Sequence, residues 1–155
     1  MTTSLNETRR MLNVQHLALR DLIYELRTAA AEVLVAGERT PDEKVHPLRA
    51  CIGRLRSCLE RHLEAEELLL GPVLGCIDAW GPQRLQLMLA EHAHQRAVLK
   101  VLTGDPLRPL GAHVLARRAW SLSEDILADM DAEDRDLLSP TVLTDDTIRL
   151  DQSDA

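Results

Sequence analysis

Two stretches of the chain end in the same way and decide the fold. One is LERHLEAEELLLGP (59–72) and the other is LADMDAEDRDLLSP (127–140). In each, apolar residues recur at steps of three and four and then stop at a Leu-x-Pro sequence. This spacing predicts an amphipathic helix that ends just before the proline.

The two stretches differ at one position that bears on function. When their prolines are aligned, His62 falls on Met130 and Glu66 falls on Asp134. The first stretch therefore has a His-x3-Glu pair on one helix face, whereas the second keeps only the carboxylate. Whether the protein binds metal, and how many ions it binds, depends on this missing histidine.

Composition favours a single all-α domain. The chain has 155 residues, the length of one domain, and 45% of them are apolar, yet it contains no Phe, one Tyr and two Trp. A core built from Leu, Ala, Val, Ile and Met favours helices over sheets. The net charge of −7 argues against a nucleic-acid partner or an anionic membrane surface.

The same sequence predicts a cytoplasmic protein. No run approaches the roughly 18–20 apolar residues of a membrane span, and the N-terminal MTTSLNETRRML lacks the apolar core of a signal peptide. Three cysteines occur without a CxxC motif. Cys51 and Cys58 lie about 10 Å apart along one predicted helix, too far for a disulfide.

Start and stop signals delimit four helices. Capping-box spacing marks the first two starts, Ser4 with Glu7 and Thr40 with Glu43, and Pro82 starts the third. Short connections between four helices predict an antiparallel up-down-up-down bundle over residues 1–143, followed by a polar tail, 144–155. The predicted helix ends are Gly37, Gly71, Gly104 and Ser139.

Polar residues interrupt the apolar stripes of all four helices at one height. His62 precedes Pro72 by ten residues, and Met130 precedes Pro140 by the same number. Counting outward from each turn places one inward position of every helix in a common layer. The layer contains His16, His62, Glu66, His92, Met130 and Asp134.

Such a layer has two explanations. One buried histidine is usually a hydrogen-bonded structural residue, but three histidines with two carboxylates are costly to bury without a counter-charge. A divalent cation removes that cost and accepts imidazole and carboxylate together. A buried polar network without metal is the alternative.

This arrangement resembles the hemerythrin-like, or HHE cation-binding, family of four-helix bundles. The resemblance rests on NVQHLALRD, RHLEAEELLLGPVL, AEHAHQ and DMDAEDRDLLSPTVL, and spans roughly residues 5 to 143. It implies a site for two non-haem irons. One is held by His16 and His62, with Glu66 and Asp134 as bridges, and a weaker one by His92, with Met130 at the vacant histidine position.

The resemblance also implies where the second iron site is impaired. A thioether suits a hard iron poorly. Asp131 is a candidate replacement ligand, since some members of the family ligate through the residue after the helix 4 histidine. Arg96 stands where some members have a further histidine, and a guanidinium there would repel a cation unless it points outward. One iron, or an asymmetric pair, is the expectation, and another divalent metal is an option.

The functional expectation is a metal protein that binds or senses O2, NO, peroxide or redox state, as a monomer or homodimer that passes the signal to a protein partner. The alternative is a metal-free degenerate bundle that serves as a structural or protein-interaction module. An enzyme has little support, because no catalytic triad or phosphate loop appears. A ferritin-like oxidase needs two Glu-x-x-His motifs directed into the bundle. Glu91 with His94 has that spacing, and so does Glu43 with His46, but His46 lies near a helix start and is interpreted as a surface residue.

Overall fold

A computed structural model describes residues 4–140, 142 and 143. Within this part the chain forms four long helices and one single-turn helix, without a strand. They are α1 (Leu5–Ala36), α2 (Asp42–Leu69), α3 (Gly71–Leu74), α4 (Gly81–Thr103) and α5 (Ala112–Asp136). The predicted all-α four-helix bundle is confirmed, and α3 is a short addition within the connection between α2 and α4. The predicted polar tail, 144–155, lies outside the described residues.

The long helices form a closed ring. Helix α1 packs against α2 and α5, and α4 packs against the same two helices. The contacts of α1 with both neighbours are more extensive than those between α4 and α5, so the α4–α5 seam is the loosest of the four. None of the helices in the described part is long and apolar enough to cross a bilayer.

The ends of α1 follow from local chemistry. Ser4 Oγ accepts a hydrogen bond from the Glu7 amide at 3.2 Å, and the Glu7 carboxylate accepts one from the Ser4 amide at 3.0 Å, so the first capping box is confirmed. Gly37 ends the helix with φ +79°. The second predicted box is wrong, because Thr40 Oγ1 donates instead to the Gly37 carbonyl at 2.5 Å and Pro41 precedes α2 without a side-chain cap.

A glycine fixes the junction between α3 and α4. A Cβ added to Gly81 would lie 1.8 Å from the carbonyl oxygen of Leu74, so no larger residue fits without a backbone shift. Pro82 follows as the second residue of α4, where its missing amide proton is not needed. The close approach brings α3 against the start of α4.

The polar layer separates two apolar clusters. On α1, Leu12 belongs to the smaller cluster, Leu19 belongs to the larger one, and His16 lies between them, all three with 0% exposure. On α4, Met88 and Leu99 flank His92 in the same way. Because apolar side chains cover the layer on both sides, its polar groups must find partners within it.

Candidate metal centre

Four side chains from three helices converge in the layer. His16 comes from α1, His62 and Glu66 come from α2, and Glu133 comes from α5. One nitrogen or oxygen atom of each lies within 4.8 Å of the others, and the side chains are buried or nearly so. The one-turn spacing of His62 and Glu66 puts both on the inner face of α2.

Glu66 is the centre of the cluster. Its Oε1 lies 3.2 Å from His62 Nε2 and 3.8 Å from His16 Nε2, while Oε2 lies 3.1 Å from His92 Nε2. The side chain is 1% exposed. Burial alone raises the pKa of the Glu66 carboxyl, but the contacts with the three imidazoles outweigh it and hold this pKa well below its usual range. Glu66 is therefore a buried carboxylate that faces imidazoles on both of its oxygens.

An outer oxygen atom holds the Nδ1 side of each histidine. Nδ1 of His16 donates to Asp134 Oδ1 at 2.7 Å, and Nδ1 of His92 donates to Glu67 Oε1 at 2.9 Å, because a carboxylate can only accept. Nδ1 of His62 is 2.8 Å from the amide oxygen of Gln15. With the Nδ1 atoms so occupied, the Nε2 atoms point into the cluster. Histidines that bind metal are oriented in this way.

Arginines stabilise the outer acceptors of two of these histidines. Arg20 Nη2 donates to Asp134 Oδ2 at 2.8 Å, and Arg96 Nη1 donates to Glu67 Oε1 at 2.6 Å. Contact with Arg96, with a smaller opposing effect of burial, lowers the pKa of Glu67. The guanidinium of Arg96 thus pairs with a carboxylate of α2 and supports His92 from outside.

Proton affinity is high on the α1–α5 side of the cluster. Burial lowers the pKa of His16, but contacts with Glu133, Glu66 and Asp134 outweigh it and raise the pKa to about 10. Burial also raises the pKa of Glu133 to about 8, with a smaller opposing effect of His16. At neutral pH the metal-free cluster therefore holds protons that a cation must displace.

The donor atoms fit a cation. Nε2 of His16 lies 3.2 Å from Nε2 of His62 and 3.1 Å from Glu133 Oε2. Two donors about 2.0–2.1 Å from one ion, at an angle of about 100°, are separated by about 3.2 Å. Both oxygens of Glu66 and one of Glu133 are buried without a hydrogen-bond partner, although imidazole nitrogens lie nearby. Close but misaligned donors of this kind suit a shared ion better than hydrogen bonds.

Comparison with known families agrees with this geometry. The family model of the hemerythrin HHE cation-binding domain matches residues 8–139. The chain belongs to this family. No match was found among curated proteins or among solved structures.

The HHE domain brings four of the five predicted ligands face to face. These are His16, His62, Glu66 and His92. The fifth, Asp134, is 34% exposed and contacts the outer nitrogen of His16, and Glu133 faces the inner nitrogen instead. Direct ligation by Asp134 stays a prediction. Sequence reasoning missed Glu133, although an acidic residue one turn after an inward-facing Met130 was a signal for it.

The two residues considered as substitutes for the missing histidine lie apart from the cluster centre. Met130 is 2% exposed and packs in the larger apolar cluster. Asp131 is 71% exposed, and its Oδ1 accepts a hydrogen bond from Arg20 at 2.8 Å. In this arrangement Asp131 is a surface ion-pair partner on the α1–α5 side.

A small cavity of about 10 Å³ adjoins the cluster and has space for about one water molecule. Its apolar wall consists of Leu59, Leu63, Ile126 and Met130. Its polar wall consists of His62, Glu66 and Glu133, together with Gln95 and Asp129. A molecule of the size of water matches this volume, whereas an organic substrate does not fit.

Proposed function

We propose that this HHE domain binds non-haem iron through His16, His62, Glu66 and Glu133, and that it binds or senses O2, NO or peroxide. The observation that carries the proposal is the orientation of the histidines, each with Nδ1 held by an outer oxygen and Nε2 directed toward Glu66. Mixed imidazole and carboxylate donors suit Fe(II).

A second, weaker iron position is part of the proposal. Glu66 presents Oε1 toward His16 and His62 and Oε2 toward His92, which is the disposition of a bridging carboxylate. Only His92 and Glu66 Oε2 supply strong donors on that side, and Met130, at the vacant histidine position, would offer at most a weak thioether. Occupancy of one iron at low concentration, and of two at high concentration, follows from this asymmetry.

The chemistry that iron supplies is reversible coordination and oxidation by small molecules. The residues of this chain orient the ligands and keep bulk water out. Asp134 and Arg20 fix the ring of His16, and Glu67 and Arg96 fix that of His92. A protein partner would then respond to a change at the site.

Anaerobic titration of metal-free protein with Fe(II) tests the proposal, with elemental analysis for stoichiometry. We expect one tightly bound iron per chain and a charge-transfer absorption that changes on addition of O2 or peroxide. His62→Ala should abolish tight binding, whereas His46→Ala, an exposed position on the same helix, should not. Absence of bound iron in the wild-type protein would refute the proposal.

The metal-free interaction module remains the second candidate, and one observation favours it. With His16 protonated, its contacts with the carboxylates of Glu66 and Asp134 already balance much of the buried charge. This candidate predicts no stoichiometric metal and a melting temperature that a chelator does not change. It also predicts that His62→Ala lowers stability by the same amount with and without the chelator.

A further inference from the structure

Two spaces of very different size meet at one pair of side chains. The small cavity beside the metal cluster and an open groove of about 570 Å³ between α4 and α5 are both bordered by Gln95 and Asp129. The groove lies along the loosest seam of the bundle. Gln95 and Asp129 therefore separate the cluster from the outside of the protein.

The hydrogen bond between these residues closes the connection. Gln95 is 4% exposed, and its Nε2 donates to Asp129 Oδ2 at 2.6 Å. The amide oxygen of Gln95 is buried without a hydrogen-bond partner. When the side chain swings away from Asp129, this oxygen gains access to water, which offsets part of the lost hydrogen bond. The closure is therefore easily reversed.

The other seams near the cluster are closed more firmly. Between α1 and α5, Arg20 binds Asp134, and between α2 and α4, Arg96 binds Glu67 and Glu60. A guanidinium on the path repels an incoming cation. Between α1 and α2 the packing is extensive, and Gln15 covers His62.

The walls of the α4–α5 groove are acidic, in contrast to the arginines at the other seams. Asp125 and Asp129 line the groove, together with Glu91, which is partly protonated at neutral pH because burial and contact with Asp129 raise its pKa to about 7. His94 is the one ionisable residue of opposite sign among the lining residues. A cleft with acidic walls concentrates cations and raises their rate of entry, and it rejects anions. The groove thus favours divalent cations and neutral diatomic molecules.

We infer that the α4–α5 groove is the route by which a divalent cation reaches the cluster, and that the hydrogen bond between Gln95 and Asp129 is its gate. The inference rests on the proposed metal function and assigns to Gln95 a role in kinetics. Gln95 controls how fast the ion enters and leaves, and the cluster controls how tightly it is held.

Stopped-flow uptake of Co²⁺ by the metal-free protein tests the gate, together with release of Co²⁺ to excess EDTA. We expect Gln95→Ala to accelerate uptake and release by the same factor, on the order of tenfold, so that the dissociation constant is unchanged. Gln95→Met fills the same space without the hydrogen bond and is expected to accelerate both steps. It keeps the test available if the alanine variant does not fold.

Two neighbouring positions of α5 test the groove. Asp125 lines it with a side chain that is 54% exposed, and Glu124, 59% exposed, faces Arg27 of α1 instead. Each variant, Asp125→Asn and Glu124→Gln, removes one negative charge. At an ionic strength of about 0.15 M, where the Debye length is about 8 Å, Asp125→Asn should slow uptake about threefold, because it removes one charge beside the path of a divalent ion. Glu124→Gln should leave the rate unchanged.

The outcomes separate the two proposals. Tight Co²⁺ binding with unchanged rates in both Gln95 variants would overturn the gate and leave the metal function standing. Equal slowing by Asp125→Asn and Glu124→Gln would overturn the groove as the route. Failure of the wild-type protein to bind Co²⁺ or Fe(II) at all would overturn the metal function and the gate with it.

Discussion

Replacement of Glu66 by glutamine tests whether the metal-free cluster depends on one buried charge. The Glu66 carboxylate lies 3.1, 3.2 and 3.8 Å from three imidazole nitrogens and is 1% exposed. His16, with a pKa of about 10, is positively charged at pH 7. Glu66→Gln removes the counter-charge but keeps the shape, and it leaves a buried imidazolium with fewer negative neighbours.

The expected loss is large. Removing one partner of a buried ion pair costs about 3–5 kcal/mol, because the other charge stays buried. For a domain of this size, about 1 kcal/mol shifts the melting temperature by about 2–4 °C, so Glu66→Gln should lower it by about 6–20 °C. Thermal denaturation followed by circular dichroism, at pH 7 with excess chelator, measures this shift.

A matched variant provides the control. Glu60 also lies on α2 and contacts an arginine, but its side chain is 36% exposed. Exposed ion pairs contribute only about 0–1 kcal/mol, so Glu60→Gln should shift the melting temperature by no more than about 4 °C. If Glu66→Gln melts as the wild type does, the cluster holds no buried charge that needs Glu66, and the charged description of the metal-free site is wrong.

Three further predictions concern the site and its frame. Met130→Leu should cost less than about 1.5 kcal/mol and leave Fe(II) affinity within twofold, since Met130 packs as a core residue; a large loss of affinity would make its sulfur a ligand. The folded-state pKa of His16 is raised from 6.5 to about 10, and that of Glu133 from 4.5 to about 8, so both groups bind their protons more tightly in the folded protein. The stability that each group contributes is complete below its unfolded pKa. It is lost as the pH rises through the folded pKa, about 8 for Glu133 and about 10 for His16. Urea denaturation with chelator should therefore show that the free energy of unfolding decreases between about pH 7 and 10. Fe(II) affinity should increase over the same range, and a flat profile of both quantities would contradict the assigned proton sites. Gly81→Ala should destabilise the protein by about 1–3 kcal/mol, because the added Cβ would clash with the Leu74 carbonyl. Gly75→Ala, whose Cβ would lie 3.6 Å from its nearest neighbour, should have a smaller effect in the same urea assay. Equal effects would argue against the close approach of Gly81 to Leu74.

The helical stripes were predictable because burial on α1 follows a single period. Positions that recur along α1 at alternating steps of four and three all have 0% exposure: Leu12, His16, Leu19, Ile23, Leu26, Ala30 and Val33. A helix that packs on two neighbours along its whole length leaves no ambiguity about its inner face. On α2 the face is less well defined, since Leu59 and Leu63 are more buried than Cys58, although Cys58 lies one turn before the inward-facing His62.

The partners of the histidines were not predictable in the same way. Gln15 and Glu67 each lie next to a cluster residue along the chain, but they reach the histidine of a different helix. Such contacts depend on the rotation of two helices about their axes and on a rotamer choice, and neither has a periodic signature. Thr40 shows the same limit at short range, because two nearby carbonyls competed for its hydroxyl and the capping-box spacing did not decide between them.

The alignment of the two helix endings explains why Glu133 was missed. Alignment on the prolines assumes that both helices stop at the same distance from them, but α2 ends three residues before Pro72 and α5 ends four residues before Pro140. Alignment on the helix ends instead places Glu66 on Glu133, each three residues from the end.

The same shift places His62 on Asp129. The residue at the histidine position of α5 is then an acid that binds Gln95, and Met130 is its apolar neighbour. On this alignment both helix pairs supply an inward carboxylate to the cluster. The position that carries the ligand His62 on α2 carries Asp129 on α5, where it closes the path from the groove. Asp129 thus accounts both for the missing histidine ligand and for the gate. The variant Asp129→His should therefore change the affinity for the metal ion and its rate of uptake together.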